Sequence, residues 1–284
     1  MIECSVVIPC RNGGPWLARQ LDALAAKQDF TGSYEVIVAD NGSSDGSVAV
    51  VLKYATQYPN VRSVDASDGL GINHGRNVGV RASRGKYVLL CDADDEASPS
   101  WISAMTAALQ DGAACVGGVV ERCLRSGASL GRDSGLYEVY WDVPWPIGAN
   151  CGFERGVFDK IGGFDESFIG GGDETDFFWR AHLAGYATLA VPEAVMVYYV
   201  RDRFRDVARQ NFAYGRGAVR LYVKFRPWGM PRSPLWRFPA ALFWGVARLI
   251  GSPPHSVARR RAVADLAGRA GRVWESMRSQ VLYL

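Results

Sequence analysis

Three carboxylates follow an apolar run between Tyr87 and Asp95, where the sequence is YVLLCDADD. The apolar residues predict a buried strand, and Asp92 and Asp94 would project to the same side if the chain stays extended just past it. Two carboxylates on one side can hold a divalent cation, and such a cation neutralises phosphate oxygens. The sequence therefore predicts a site at this strand end that binds phosphates through a metal ion.

A second acidic cluster, DETD at positions 173–176, follows three glycines and begins a segment with helical spacing. Helix capping by Asp173 and Asp176 accounts for two of its acids, and Asp176 has the spacing to pair with Arg180. Capping leaves the glycines unexplained, and glycine lets backbone and substrate approach closely. A partly desolvated carboxylate beside two others has a raised pKa, so Glu174 is equally a candidate to accept a proton from a hydroxyl.

These acids must be positioned by the elements around them, and the chain alternates between apolar runs and stretches with helical spacing. Such alternation predicts an α/β fold with a Rossmann-like, mainly parallel sheet flanked by helices, whose ligands bind beyond the carboxyl ends of the strands. The predicted strands are Ser5–Ile8, Tyr34–Ala39, Val61–Asp65, Tyr87–Cys91 and Ala113–Arg122, and the predicted helices are Trp16–Ala26, Ser47–Tyr58 and Asn73–Arg84. The polar stretch Arg125–Gly135 is predicted to be a loop.

Charge is distributed unevenly along the chain, although its formal sum is only +3. Residues 1–200 carry 15 Lys or Arg against 25 Asp or Glu, whereas residues 201–284 carry 17 against 4. We therefore expect a main domain at residues 1–200 and a basic helical C-terminal extension at residues 201–284. The extension would serve as a membrane-surface or oligomer contact.

The run at residues 235–250 is rich in Trp, Phe and Leu, but Arg237, Pro239 and Arg248 interrupt it, and it is short for a bilayer span. This pattern favours a helix lying on an anionic membrane surface over nucleic-acid binding. The alternative is a helix that packs its apolar stripe on the main domain and exposes its arginines.

The six cysteines contain no Cys-x-x-Cys pair, and the chain opens Met1-Ile2-Glu3 without a basic and then apolar leader. We expect reduced, mostly buried thiols in a cytoplasmic protein. If the basic extension binds lipid, the protein would be peripheral on the inner face of the membrane.

Taken together, these segments resemble the family 2 inverting glycosyltransferases of the GT-A fold over about the first 200 residues. Each motif alone is weak, whereas their order and spacing make the resemblance specific. The motifs are VVIPCRN at 6–12, VADNGSSDGS at 38–47, GRNVG at 75–79, DADD at 92–95, GGFD at 162–165 and GDETD at 172–176. The resemblance implies that residues 1–112 bind a nucleotide sugar. Residues 113–200 would then bind the acceptor and supply the general base.

The resemblance also implies a pocket for the nucleotide. Pro9, Arg11, Asp40 and Asn41 would line the space for the base and ribose, with Arg76 nearby. Many members have Asp where this chain has Asn41, whose amide both donates and accepts hydrogen bonds, so the preferred nucleobase stays open.

In the same comparison, Asp92 would face the ribose or the metal, and Asp94 would bind the Mn²⁺ or Mg²⁺ that bridges the diphosphate. Most members carry Glu-Asp where this chain has Asp173-Glu174, so Glu174 and Asp173 are both candidates for the general base. Many members also supply a downstream His to the metal, which residues 197–201 lack. Either metal binding is weak, or Arg201 assists the diphosphate.

The implied reaction moves a sugar from a nucleoside-diphosphate sugar to an acceptor hydroxyl with inversion, in one metal-assisted displacement. The acceptor would be a glycan, a lipid-linked molecule or a small molecule. A non-catalytic sugar-nucleotide-binding partner of a membrane glycan assembly complex is the main alternative, because fold does not fix function. An Asp-x-Asp phosphatase with a phosphorylated Asp92 is less favoured, because that pattern expects Thr or Val at Glu96.

Overall fold

The computed structural model describes residues 2–284, apart from the side chain of Pro15. The chain divides into two compact units. The first unit consists of the chain up to Glu138 together with Val143–Ser167 and Asp173–Val200. The second unit consists of Val139–Asp142, Phe168–Gly172 and Arg201–Leu284.

The first unit is an α/β structure whose helices alternate with its strands. Its strands are β1 (Cys4–Cys10), β2 (Tyr34–Asp40), β3 (Val61–Asp65), β4 (Tyr87–Leu90), β5 (Glu96–Ala97), β6 (Cys115–Cys123), β7 (Ser129–Arg132), β8 (Leu136–Tyr137), β9 (Trp145–Pro146), β10 (Cys151–Glu154) and β11 (Thr188–Tyr199). Its helices are α1 (Gly14–Ala26), α2 (Ser47–Gln57), α3 (Ile72–Ala82), α4 (Trp101–Gln110), α5 (Arg155–Ile161) and α6 (Asp173–Leu183).

The main sheet has the strand order β3-β2-β1-β4-β10-β6-β11-β5, with β7 added beside β6. Strands β1 to β4 run parallel, as do β6 and β11, and β10 lies antiparallel between β4 and β6. The sheet is therefore mixed, although its longest pairings are parallel. In the register, Cys10 pairs with Asp40 and Val7 with Leu90, so β1, β2 and β4 end at the same edge.

Apolar side chains cover both faces of this sheet, which is why its central strands are continuous apolar runs. One face packs against α1 and α4 through residues such as Leu17, Leu24 and Trp101. The other face carries an aromatic cluster in which the Phe164 and Phe177 rings stack with centroids 4.2 Å apart. The fold class predicted from the sequence is confirmed.

Two local expectations for this unit differ from the structure. Strand β4 ends at Leu90 and the chain turns at Ala93–Asp94, so the acidic segment is not extended as the same-side argument assumed. The predicted loop 125–135 contains β7, which pairs with β6 and is stabilised by an Arg132–Glu121 ion pair of 2.7 Å. That strand depends on pairing with its neighbour, and a polar, glycine-containing sequence carries little local signal for it.

The second unit is helical, with α7 (Phe204–Phe225), a short 3-10 helix (Arg226–Trp228), α8 (Arg237–Gly251) and α9 (Val257–Arg278). Helices α7 and α9 approach closely, since a side chain at Gly215 would collide with the backbone of Gly268, and one at Gly271 with the backbone of Phe212. None of the described helices combines the length and apolar character that crossing a membrane requires.

The glycine turn before α6 has a structural explanation within the second unit. Gly170 and Gly172 both have φ of +77°, a conformation that favours glycine. A side chain at Gly171 would meet the backbone of Ala213 and Tyr214 in α7 at 2.9 Å. Backbone geometry and packing therefore require these glycines, so substrate approach is not needed to explain them.

Candidate active site

The candidate active site begins at the sheet edge where β1, β2 and β4 end. Asp40 is the last residue of β2, and one of its carboxylate oxygens accepts a hydrogen bond from the Ser43 N–H at 3.2 Å. Its Oδ1 is buried and has no hydrogen-bond partner among the described residues. At the end of β1, Pro9 is half-buried and Arg11 is exposed. A buried acceptor without a partner suits a ligand that donates a hydrogen bond, and an exposed cation suits one that carries negative charge.

Asn41 follows Asp40 and is 6% exposed. Its Nδ2 donates to the carbonyls of Ala66 and Gly69 at 2.6 and 2.9 Å, and its Oδ1 accepts from the Gly71 N–H at 3.2 Å. Both amide donors are thus used by the loop between β3 and α3. Asn41 therefore positions that loop, a role that its place in the motif does not reveal.

The acidic segment after β4 is fixed by Gln20, which sequence reasoning missed. The buried Gln20 side chain donates to the Asp92 carbonyl at 3.1 Å and accepts from the Ala97 N–H at 3.0 Å. The only sequence signal is a polar residue on the apolar stripe of α1, between Leu17 and Leu24. One side chain thus holds both ends of the acidic segment.

The carboxylates of this segment lie close together although the chain turns. Asp95 is 1% exposed and accepts from the Tyr199 N–H at 3.3 Å. Burial, and then the charges of Asp92 and Asp94, raise its pKa well above the usual range. Asp94 is partly exposed, and its carboxylate lies 3.6 Å from the Arg125 guanidinium.

Arg125 comes from the turn between β6 and β7, and its guanidinium lies 3.7 Å from the centre of the Trp16 ring. Its side chain is 24% exposed and that of Asp94 is 35% exposed. The first acidic cluster therefore faces a cation that is itself partly open to solvent.

Arg76 lies close to both acidic clusters. Its guanidinium is 2% exposed and donates to Asp173 at 2.9 Å and to Asn73 at 3.2 Å. Burial disfavours its charge, but the charges of Asp173, Asp92 and Glu174 outweigh burial and raise its pKa. The side chains of two segments about 80 residues apart in sequence thus share one buried cation.

Glu174 lies in the first turn of α6 and is partly exposed, although protein atoms surround its carboxyl group. Burial, and then the charge of Asp173, raise its pKa to about 8, while Arg76 acts in the opposite direction. A carboxyl group with such a pKa can exchange a proton near neutral pH.

The other acids of α6 have structural partners. Asp173 is the first residue of the helix, and its carboxylate binds Arg76. The predicted ion pair between Asp176 and Arg180 is confirmed, at 2.8 Å.

A divalent cation fits the first acidic cluster in charge and in ligand type. Carboxylate oxygens suit a hard cation, and the mutual repulsion of these acids would be relieved by it. No group of three or more His, Cys, Asp or Glu suited to hold an ion occurs in residues 2–284. An ion bound by Asp92 and Asp94 would therefore complete its shell with phosphate oxygens and water. Arg201, the residue that the sequence offered as an alternative contact to the diphosphate, belongs to the second unit.

All six cysteines are buried and free, as the sequence predicted.

A mixed α/β sheet flanked by helices, with an acidic segment after β4 and an acidic helix start, agrees with the GT-A fold. The glycosyl transferase family 2 model matches residues 5–162, and the chain belongs to this family. The model of glycosyl transferase family group 2 also matches, over residues 128–266. The chain is therefore a glycosyltransferase, and neither the phosphatase nor the non-catalytic alternative is favoured.

Proteins with similar sequences are also named as glycosyltransferases. The chain is 24% identical over 261 residues to glycosyltransferase AglE of Haloferax volcanii, which covers 88% of this chain and 82% of that protein. It is 38% identical over 110 residues to the uncharacterized glycosyltransferase YibD of Escherichia coli, covering 38% of this chain and 31% of the relative.

Solved structures support the fold. The mannosyltransferase PcManGT from Pyrobaculum calidifontis, in complex with GDP-Man and Mn²⁺, aligns with a TM-score of 0.71 and 18% identity over 96% of this chain and 87% of its own. Staphylococcus aureus TarS in complex with UDP-GlcNAc aligns with a TM-score of 0.60 and 16% identity over 100% of this chain and 93% of its own. At these identities the likeness is one of fold.

Proposed function

We propose that this glycosyltransferase moves a sugar from a nucleoside-diphosphate sugar to an acceptor hydroxyl with inversion, and that Glu174 is the general base. The observation that carries the proposal is the buried Arg76 guanidinium, which donates to Asp173 at 2.9 Å and whose charge interacts with those of Asp92 and Glu174. This arrangement supports a single site in which the segment after β4 would bind phosphate through an ion and Glu174 would accept a proton.

The choice of Glu174 over Asp173 rests on their different partners. Asp173 accepts a hydrogen bond from the buried Arg76, and this pairing keeps its oxygen occupied. Glu174 is partly exposed and its pKa of about 8 allows it to take a proton from a hydroxyl. In this mechanism Glu174 deprotonates the acceptor, while Asp173 and Arg76 set its proton affinity. Asp173 is thus a positioning residue.

The donor pocket in this proposal lies at the ends of β1 and β2. Arg11 and the buried Oδ1 of Asp40 would contact the nucleotide, and Pro9 would form part of the wall. Asn41 would contribute by fixing the neighbouring loop rather than by reading the base, because its amide donors are already used. Neighbouring structures bound to GDP-Man and UDP-GlcNAc support a sugar nucleotide as donor and leave its base and sugar open.

Asp92 and Asp94 would hold Mn²⁺ or Mg²⁺, and the Mn²⁺ in the PcManGT complex supports a divalent cation. Bound there, the ion would neutralise charge on the departing nucleoside diphosphate. Arg76 would add positive charge beside Asp92. The acceptor in this proposal is a glycan, a lipid-linked molecule or a small molecule. The protein would act in the cytoplasm or on the inner face of the membrane.

The proposal is tested with the full-length chain and a panel of UDP, GDP, dTDP and CDP sugars, each with Mn²⁺ or EDTA. We expect one class of donor to raise the melting temperature and to release its nucleoside diphosphate, with both effects lost in EDTA. Asp94→Asn should weaken Mn²⁺ binding at least about tenfold, measured by electron paramagnetic resonance of the free ion. Asp111→Asn, an exposed acid at the end of α4, is the matched control.

If no donor in the panel changes the melting temperature or is consumed, the proposal is wrong. If donors are consumed equally in Mn²⁺ and EDTA, the metal assignment fails while the transferase assignment stands. Nuclear magnetic resonance of the product then reads its anomeric configuration, and retention would exclude a single displacement.

A further inference from the structure

Helix α8 in the second unit exposes an apolar face that none of the described residues covers. Five of its exposed positions, together with Trp236 just before it, repeat at spacings of three and four residues and therefore fall on one side of the helix. These residues are Trp236, Pro239, Ala240, Phe243, Val246 and Ile250. Trp236 is 74% exposed, Phe243 66% and Ile250 78%. We call this set the α8 face.

The opposite side of α8 packs against α9. Gly245 is buried, and a side chain there would meet Leu266 of α9 at 2.9 Å. The helix can approach α9 closely at this glycine, while Phe243, Trp244 and Ile250 are between 64% and 78% exposed. A soluble helix normally has the reverse arrangement, with its apolar stripe facing the core.

Cationic side chains border this face on one edge. Arg237 and Arg248 are eleven residues apart, which places them on one line along the helix, with the exposed Trp244 between them. Arg237 lies 5.0 Å from the centre of the Trp236 ring. Arg248 pairs at 3.4 Å with Asp265, and both side chains are about half exposed, so this pair is weak.

The surrounding sequence is strongly cationic. Between Asp206 and Asp265 the chain contains eleven Lys or Arg and no Asp or Glu. Few soluble surfaces expose aromatic side chains within such a stretch, and the combination of Trp and Phe with arginines is typical of a helix that lies in a lipid interface. A second copy of this basic surface would be repelled by like charge, whereas an anionic headgroup layer would be attracted.

We propose that the α8 face inserts into the surface of an anionic lipid bilayer, with the helix axis parallel to the membrane. Its apolar side chains enter the boundary between headgroups and acyl chains, and Arg237 and Arg248 bind the anionic headgroups. With 15 residues, α8 is too short to span the bilayer, so the binding is interfacial. This binding is independent of the proposed transfer reaction.

Flotation of the full-length chain with lipid vesicles tests this proposal. Wild type should float with phosphatidylcholine vesicles that contain about 30% phosphatidylglycerol, float weakly with pure phosphatidylcholine, and be released as salt is raised. The double variant Phe243→Glu/Ile250→Glu should bind the anionic vesicles at least about tenfold more weakly, because it places two charges in the apolar face.

The matched control is Val48→Glu/Leu52→Glu, which changes two exposed apolar residues on one side of α2 in the first unit. It should float like wild type. Circular dichroism melting checks that both variants fold.

The proposal is overturned if wild type stays unbound on anionic vesicles at low salt. It is also overturned if the α8 variant floats as well as the control does. Analytical ultracentrifugation provides the third reading: a wild-type dimer that the α8 variant dissociates, without vesicle binding, would assign the face to a second copy instead.

Discussion

Arg76 and Arg125 each pair with an acid of the candidate site in the first unit, but the two arginines are held differently. Arg76 is buried and its guanidinium donates to Asp173 at 2.9 Å. Arg125 is partly exposed and lies 3.6 Å from Asp94. The first arrangement is a fixed part of the interior, whereas the second pairs groups that both reach solvent. We infer that the site has one permanent cation, and that Asp94 can exchange Arg125 for a bound ion.

This difference has a physical basis in where each pair lies. A buried charge must keep its partner, because an unpaired charge in the interior costs several kcal/mol. A partly exposed pair is screened by water and contributes on the order of 1 kcal/mol or less. A buried acid therefore keeps its arginine, whereas a partly exposed acid can separate from its arginine at little cost in free energy.

The largest effect is expected for Glu174→Gln, because the amide cannot accept the acceptor's proton. The transfer rate kcat should fall by about 10²–10⁴-fold while donor affinity stays within about twofold of wild type. Steady-state kinetics and calorimetric donor titration measure the two quantities. Glu154→Gln, an acid paired with Lys86 at the surface, is the control and should leave both unchanged. Near-normal turnover of the Glu174 variant would exclude it as the base.

The comparison of the two arginines can be tested directly by stability. Arg76→Gln should lower the free energy of unfolding by about 3–5 kcal/mol, because it leaves Asp173 buried without its cation. Arg125→Gln should lower it by less than about 1 kcal/mol. Urea denaturation of the two variants measures the difference, and equal losses would show that the two pairs are not distinct in the way proposed.

Arg125 should also affect ion binding. Arg125→Gln removes a positive charge that competes for Asp94, so Mn²⁺ should bind about fivefold more tightly, which corresponds to roughly 1 kcal/mol. Electron paramagnetic resonance of free Mn²⁺ measures this without any turnover. Weaker binding in the variant would mean that Arg125 supports the ion site rather than competing with it.

The smallest effect concerns His74, which lies 2.8 Å from Asp68 and 2.9 Å from Glu166. Hydrogen bonds to Glu166 and Asp68 raise its pKa. Because the folded-state pKa is raised, the stability from this charge is complete below about pH 6.5 and is lost as pH rises through the folded value. His74→Gln should therefore lower the free energy of unfolding more at pH 6 than at pH 9. The difference should be less than about 1 kcal/mol, because both acids are exposed. Equal cost at both pH values in urea denaturation would contradict this.

The sequence predicts the first half of the sheet well because its signals are local. Strands β1 to β4 are apolar runs, and each is followed by turn residues and a helical pattern. Strands β7 and β10 carry weaker signals, since β7 exists only through pairing with β6, and β10 inserts between β4 and β6 from a distant part of the chain. Such long-range pairings leave little trace in local periodicity.

For the site, the sequence identifies residue types but not their partners. Asp92, Asp94 and Glu174 stand out as clustered acids, yet aligning Asp92 with Asp94 requires an extended chain where the structure has a turn. The pairing of Arg76 with Asp173 joins residues 97 positions apart, and no spacing rule detects it. Gln20 is visible only as a polar residue on an apolar helix stripe.

The pH dependence of kcat/KM tests most directly whether Glu174, with its proton affinity set by Asp173 and Arg76, accepts the proton. Wild type should gain activity as pH rises, with an apparent pKa near 8 in the free enzyme, because only the ionised carboxylate is a base. Asp173→Asn should move that transition to lower pH, since it removes a charge that raises the Glu174 pKa. A profile without this transition, or one that Asp173→Asn leaves in place, would contradict the account.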